Sequence, residues 1–245
     1  MPKNGGEAAD SGWNAERVTL GRHFIRDMEG LWEGVLKLSA IVETTINASV
    51  RALCEGRPEL ALEVKGGERT VNAWEVQIER DCLKMLALHQ PVAGDLRRVA
   101  AVLRINSDLE RMADLAKHMA KRVRKAASDP DGTPPIPEGL EQMAGDVLGQ
   151  VRDALDALSQ SDVDLAQAVI VGDRRVDRQH RHVLAGLKQS IRSDPERLDG
   201  WFRLINSARN LERIADHATN IAEVVIYLRD GAIIRHEQAP QGLRP

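Results

Sequence analysis

The 245-residue sequence predicts an all-α protein with two tandem three-helix bundles, six long helices in all, related by internal pseudo-symmetry. Three observations favour this fold class. Aromatic residues make up only 3% of the chain, whereas β-sheets favour aromatic and β-branched residues. Apolar residues recur every three or four positions over long stretches, which is the spacing of helices packed side by side. Two motifs also recur in the same order, 102 and 105 residues apart, which indicates a duplication.

Three amphipathic stretches predict three helices in the first half. The first has apolar residues at helical spacing from Ile25 to Ile46, and Gly56-Arg57-Pro58 then turns the chain. The second runs from about Glu59 to Leu88 and ends before Pro91, because proline cannot continue a helix. The third carries an unbroken apolar seam of Val102, Ile105, Leu109, Met112, Ala116, Met119 and Val123.

The second half repeats this plan. Its first helix has apolar residues at helical spacing from Leu140 to Leu158. Ser161-Asp162 is an N-cap signal for the next helix, which is expected to run to about Ile191. The last helix spans Leu204 to Leu228, and Gly231 is a candidate C-cap.

Composition also divides the chain into segments. Residues 1–19 and 235–245 are polar and without periodicity, so we expect disordered tails there. Residues 129–137 contain four prolines and a glycine and are expected to form a linker. The two repeats are then residues 20–128 and 138–234.

Charge and cysteine content narrow the functional classes. The net charge is −3, so no basic field would attract nucleic acid or anionic lipid. The two cysteines, Cys54 and Cys82, make neither a disulfide framework nor a CxxC site. No transmembrane stretch and no signal peptide is evident, so we expect a cytoplasmic protein. Glycine-rich phosphate loops and nucleophile motifs are missing too, which favours a non-enzymatic role.

The repeated motif is Glu-x-x-x-Asp. Glu110 and Asp114 are four residues apart, as are Glu212 and Asp216. On a helix such residues lie on one face, about 6 Å apart, and two like charges repel there unless a cation compensates. Both pairs adjoin the apolar seam, so we expect them at the edge of the core.

The preceding helices place more acids beside their seams. These acids are Glu68 and Glu75 in the first half and the pair Asp173 and Asp177 in the second. Four carboxylates that converge from two helices, Asp173/Asp177 and Glu212/Asp216, would suit a multinuclear site for a hard cation. His180, His217 and His118 could join such sites. Alternatively, Arg111 and Arg213 could neutralise the acids without any metal.

The same segments carry a family resemblance that covers about residues 20–235. The matching pieces are His89-Gln-Pro-Val-Ala-Gly-Asp-Leu-Arg97, Leu109-Glu-Arg-Met-Ala-Asp114, Gly172-Asp-Arg-Arg-Val-Asp177 and Leu211-Glu-Arg-Ile-Ala-Asp-His-Ala-Thr-Asn-Ile221. The chain resembles the PhoU family, accessory regulators of the phosphate-specific (Pst) ABC transporter. Family members fold as tandem three-helix bundles.

The resemblance implies a cytoplasmic, often dimeric regulator that represses the phosphate-starvation response when phosphate is plentiful. Its expected partners are the ATPase of the Pst transporter and a phosphate-sensing histidine kinase. Membrane association is expected only through those partners, and nucleic acid is not expected as a partner.

The resemblance also implies metal binding, with iron, manganese, magnesium or zinc as candidates. Asn72 stands where a second acid would follow Glu68, so we expect weaker binding in the first half. Ala113 and Ala215 replace a glycine that is usual in the family motif. The implied ligands are Asp173, Asp177, Glu212 and Asp216, with Glu110, Asp114 and Glu68 in the first half.

One alternative is a di-iron or di-manganese carboxylate enzyme in a helical bundle. Such enzymes draw a Glu-x-x-His motif from each of two helices. The chain has no Glu-x-x-His, and its single Asp-x-x-His, from Asp177 to His180, has no counterpart in the first half.

Overall fold

The computed structural model describes residues 7–128 and 134–231, and within these ranges the chain forms helices and turns without any β-strand. A short 3₁₀ turn at Pro195–Arg197 precedes the last α-helix. The all-α prediction is therefore confirmed. The helices are α1 (Glu7–Cys54), α2 (Leu60–His89), α3 (Ala93–Ala126), α4 (Glu138–Gln160), α5 (Val163–Ser193) and α6 (Leu198–Asp230).

Local signals in the sequence set several of the helix ends. The Asp162 side chain accepts a hydrogen bond from the Leu165 backbone N–H at 3.0 Å, which caps α5 as predicted. Gly231 follows α6 with φ of 73°, a left-handed conformation that glycine adopts without a Cβ clash. Around Pro91, Gln90 and Ala93 also take positive φ values, 43° and 49°, and so turn the chain sharply from α2 into α3.

The structure corrects the predicted start of the first helix. Helix α1 begins at Glu7, so residues 7–19 belong to it and not to a disordered tail. Ile25, expected on the apolar face, is 57% exposed. Residues 1–6 and 235–245 of the predicted tails, and residues 129–133 of the predicted linker, lie outside the described residues. Residues 134–137 are non-helical, as expected for a linker.

The two halves share one hydrophobic core. Helices α1–α3 pack together, as do α4–α6, and α3 packs along α6 where the halves meet. The core runs through both halves without interruption. Leu109, Met112, Leu211 and Ile214 of the predicted seams are fully buried. Among the described residues, no helix is long and apolar enough to cross a membrane.

Polar contacts between α3 and α6 follow the duplication. Asp108 Oδ1 lies 2.8 Å from His217 Nδ1 and accepts a hydrogen bond from Asn220 Nδ2 at 3.1 Å. Asn210 Nδ2 donates to the Leu115 carbonyl at 3.3 Å. Asp108 and Asn210 are 102 residues apart, as are Leu115 and His217, so the two contacts are pseudo-symmetric counterparts.

The cap at Asp162 gives a test of the α4–α5 turn. Replacing Asp162 by Ala leaves a backbone N–H of α5 without its acceptor, so we expect a loss of about 1 kcal/mol in the free energy of unfolding. Urea denaturation followed by circular dichroism measures it. Asp162→Asn keeps a side-chain acceptor and should remain near the wild type, whereas equal losses in both variants would contradict the capping role.

Candidate functional site

The acids of the second half lie along the contact between α5 and α6. Their position follows from the seams, because Val176 of α5 and Leu211 and Ile214 of α6 are buried and carry the neighbouring residues to the edge of the core. Asp173 and Asp177 lie close enough to Glu212 and Asp216 for their negative charges to raise the pKa of both. The structure thus brings together the four predicted residues, Asp173 and Asp177 of α5 with Glu212 and Asp216 of α6.

Within this second-half acid cluster, ionisation of Glu212 and Asp216 is disfavoured. Burial raises the pKa of Glu212, and the negative charges of Asp177 and Asp173 raise it further. Partial burial of its carboxyl and then the charge of Glu212 raise the pKa of Asp216 to about 6, although the residue as a whole is exposed. No Lys or Arg side chain in the described ranges forms an ion pair with any of the four acids. Their negative charge therefore has no bonded cation to offset it.

Two further side chains complete the surroundings of the cluster. Gln150 of α4, which is buried, donates from Nε2 to Asp173 Oδ1 at 3.0 Å and to Thr219 Oγ1 at 2.9 Å. His180 Nδ1 lies 3.7 Å from Glu212 Oε1, while its Nε2 is buried without a hydrogen-bond partner. Burial and then the positive charge of Arg209 lower the pKa of His180, which favours the neutral imidazole.

The first half arranges its acids differently, because a lysine joins them. Lys117 Nζ lies 3.1 Å from Glu68 Oε1 and also forms an ion pair with Asp114. Burial works to lower the pKa of Lys117, but its hydrogen bonds to Asp114 and Glu68 raise it overall. Glu110 has Arg111 Nε at 3.6 Å, and burial followed by the charge of Asp114 raises the pKa of Glu110. All three predicted residues, Glu68, Glu110 and Asp114, thus lie near a basic side chain.

The duplication explains this difference residue by residue. Lys117 corresponds to Thr219 at the 102-residue offset of α3 and α6. At the 105-residue offset of α2 and α5, Asn72 corresponds to Asp177 and Glu75 corresponds to His180. Each half therefore has four acids, but the first half also has a lysine, and its fourth acid is Glu75 where the second half has a histidine.

The two halves consequently differ in how they fit a metal ion. As the side chains stand, no group of three or more His, Cys, Asp or Glu in the described part forms a ready-made metal site. Chemically, the second half fits a hard cation, because it offers carboxylate oxygens with unbalanced charge and an imidazole nitrogen without a partner. The first half fits one poorly, because Lys117 already supplies positive charge to two of its acids.

Sequence reasoning missed Lys117 and Gln150. Lys117 follows Asp114 by three residues, a spacing that allows an ion pair on a helix, so this signal was present. Gln150 had no such signal, since it lies on α4 between the seam residues Val147 and Val151. His217 faces Asp108 at the contact between the halves, and His118 is exposed.

Comparison with known proteins agrees with this architecture. The PhoU domain family description matches residues 35–123 and 140–225, one match in each half. The phosphate-specific transport system accessory protein PhoU homolog of Pseudomonas putida is 34% identical over 225 residues, which cover 91% of this chain and 88% of that protein. The protein of the same name from Aquifex aeolicus is 38% identical over 212 residues, which cover 86% and 95%.

Solved structures show the same fold. The crystal structure of PhoU from Pseudomonas aeruginosa superposes with a TM-score of 0.82 at 34% identity, covering 85% of this chain and all of that one. The phosphate transport system regulatory protein PhoU from Streptococcus pneumoniae gives a TM-score of 0.76 at 27% identity, covering 86% and 98%. With a PhoU domain matched in each half, and relatives aligned over most of their length, the chain belongs to the PhoU family.

Proposed function

We propose that this protein is a cytoplasmic accessory regulator of phosphate uptake that represses the phosphate-starvation response. It acts without catalysis, as an adaptor between the ATPase of a Pst transporter and a phosphate-sensing histidine kinase. The observation that carries this proposal is the match of both halves to the PhoU domain, with relatives named as accessory proteins of the phosphate-specific transport system. A homodimer, and membrane association only through partners, belong to the same proposal.

The turn between α2 and α3 offers a surface for such a partner. Leu88, Val92 and Leu96 are 63%, 75% and 46% exposed, so the α2–α3 turn presents apolar side chains to solvent. Apolar groups grouped on a surface gain free energy when a partner covers them. We assign this surface, Leu88 with Val92 and Leu96, to partner binding.

Co-purification tests the adaptor role. Tagged wild-type protein should capture the transporter ATPase and the histidine kinase from cells grown in rich phosphate. Val92→Asp should weaken capture of at least one of them, because a charge in an apolar contact must lose its water.

The matched control is Val171→Asp, which changes a valine that is 55% exposed on α5 in the second half. It should leave capture unchanged. Capture of neither partner by the wild type would overturn the adaptor proposal. If phosphate-responsive transcription in rich phosphate is unchanged after the gene is deleted, the proposed regulatory role is wrong.

We also propose that the second half holds a divalent or ferric ion through Asp173, Asp177, Glu212 and Asp216. A bound cation would neutralise the carboxylates, which repel one another, and would so stabilise the contact between α5 and α6. Gln150 keeps Asp173 in place from α4, and His180 is suited to add a nitrogen ligand. Glu68, Glu110 and Asp114 would bind metal more weakly, since Lys117 competes for Glu68 and Asp114.

Metal content tests this assignment. Protein purified without chelator should carry iron, manganese, magnesium or zinc in elemental analysis. The double variant Glu212→Gln with Asp216→Asn should lose most of it, because two of the four carboxylates become neutral amides. The matched first-half variant, Glu110→Gln with Asp114→Asn, should lose little.

Exchanging the residues that differ between the two halves gives a sharper test. Thr219→Lys places in the second half the cation that the first half has, and should lower metal content like the double variant. Lys117→Thr with Asn72→Asp should raise metal content by removing the cation and restoring an acid. Equal metal content in all these variants would show that the acids do not hold the ion.

Ionisation of the second-half acid cluster predicts a pH dependence. The pKa of Asp216 is raised from 3.8 to about 6, so between these values the folded protein binds its proton more tightly than the unfolded chain does. With metal removed by a chelator, protonated Asp216 therefore stabilises the folded protein below about pH 4, and this stabilisation is lost as the pH rises to about 6.

The measurement is the melting temperature of the wild type minus that of Glu212→Gln with Asp216→Asn, followed across this pH range in chelator. The difference should fall as the pH rises, and metal added in excess of the chelator should reverse the fall. A difference that stays flat, or that increases with pH, would contradict the raised pKa values.

A further inference from the structure

A second feature lies at the junction of the two halves, away from the acids. A cavity of about 270 Å³ opens between the end of α1, the end of α3, the start of α6 and residues 134–136. Its wall contains two arginines, Arg122 of α3 and Arg203 of α6. The two cations thus come from different halves of the molecule.

Arg122 carries an unsatisfied donor in this wall. Its Nη1 is buried and has no hydrogen-bond partner. Burial lowers the pKa of Arg122, and no neighbouring carboxylate counteracts this effect. A buried N–H without an acceptor is costly, and more so on a charged group, so a guanidinium in this state favours an anion beside it. Arg203 already makes contacts within the protein and adds a second positive charge.

The other ionisable groups in the wall do not compete for Arg122. Glu55 Oε1 lies 3.0 Å from Arg51 Nε, and its Oε2 lies 3.3 Å from Arg57 Nη1, so its charge is already paired. Burial, then the charges of Glu141 and Glu55, raise the pKa of the Cys54 thiol to about 11, so it is neutral at pH 7.

We propose that this cavity is a binding site for a small phosphate-class oxyanion, held by Arg122 with Arg203. A guanidinium presents parallel N–H donors that match two oxygens of a phosphate, and such charge-assisted hydrogen bonds are among the strongest in proteins. The cavity has room for a free tetrahedral oxyanion with a few waters. Because its two arginines belong to α3 and α6, the bound anion would tie the two halves together. The site depends on neither the metal nor the adaptor proposal.

Isothermal titration of the full chain tests the site with inorganic phosphate as the probe. We expect saturable binding of one phosphate per chain, with competition by sulfate and weaker binding of acetate, which has only two oxygens. Phenyl phosphate tests whether the site takes the free ion or a phosphate ester. Exclusion of phenyl phosphate indicates a site for the free ion, whereas binding of this ester as tight as that of phosphate would contradict it.

Arg122→Gln should lower the affinity for phosphate by about tenfold or more, since it removes a charged donor. Arg122→Lys keeps the charge without the paired donors and should fall between Arg122→Gln and the wild type. The matched control is Arg124→Gln, which changes an exposed arginine two residues further along α3 and outside this cavity. It should bind phosphate normally.

Two results would overturn the proposal. One is the absence of saturable binding at millimolar phosphate, which would mean that water alone fills the cavity. The other is unchanged affinity in Arg122→Gln, with circular dichroism confirming its fold. If Arg122→Gln does not fold, Arg203→Gln removes the second guanidinium from the same wall, and unchanged phosphate affinity in that variant overturns the proposal equally.

Discussion

The burial of the α3 seam along α6 is the contact on which the rest of the structure depends. It joins the two repeats into one core, because each bundle alone would leave an apolar stripe in water. It also fixes the rotation of both helices. Once Leu109, Met112, Leu211 and Ile214 point inward, the acids next to them must lie at the boundary of the core. Their partial desolvation, and with it the raised pKa values of Glu110 and Glu212, follows from this packing.

From that common frame the two halves have diverged in charge. Backbone geometry places acids at equivalent positions in both, yet a few side chains decide what each set can do. Lys117 gives the first half an internal counterion, whereas Thr219 at the equivalent position gives none. Asp177 adds an acid where Asn72 has a neutral amide. A duplicated scaffold has thus produced one cluster that contains its own lysine and one that, within the described ranges, has no lysine or arginine ion pair.

Partly buried charge of both signs occurs on this scaffold, in separate places. The second-half acid cluster concentrates negative charge between α5 and α6, and the cavity with Arg122 leaves a positive group unsatisfied between α3 and α6. Each lies where two helices meet, so a ligand at either would strengthen a contact between helices.

The sequence by itself determined the helix class, the duplicated plan, the cap at Asp162 and the paired acids, because these depend on periodicity and on neighbours within one or two turns. Only the tertiary structure decided that α1 begins at Glu7, that Lys117 reaches Glu68 across 49 residues, and that Gln150 holds Asp173 from another helix. It also decided that Nη1 of Arg122 is buried without a hydrogen-bond partner. The physical reason is that ion pairing and desolvation depend on distances between residues far apart in the chain, and packing alone sets those distances.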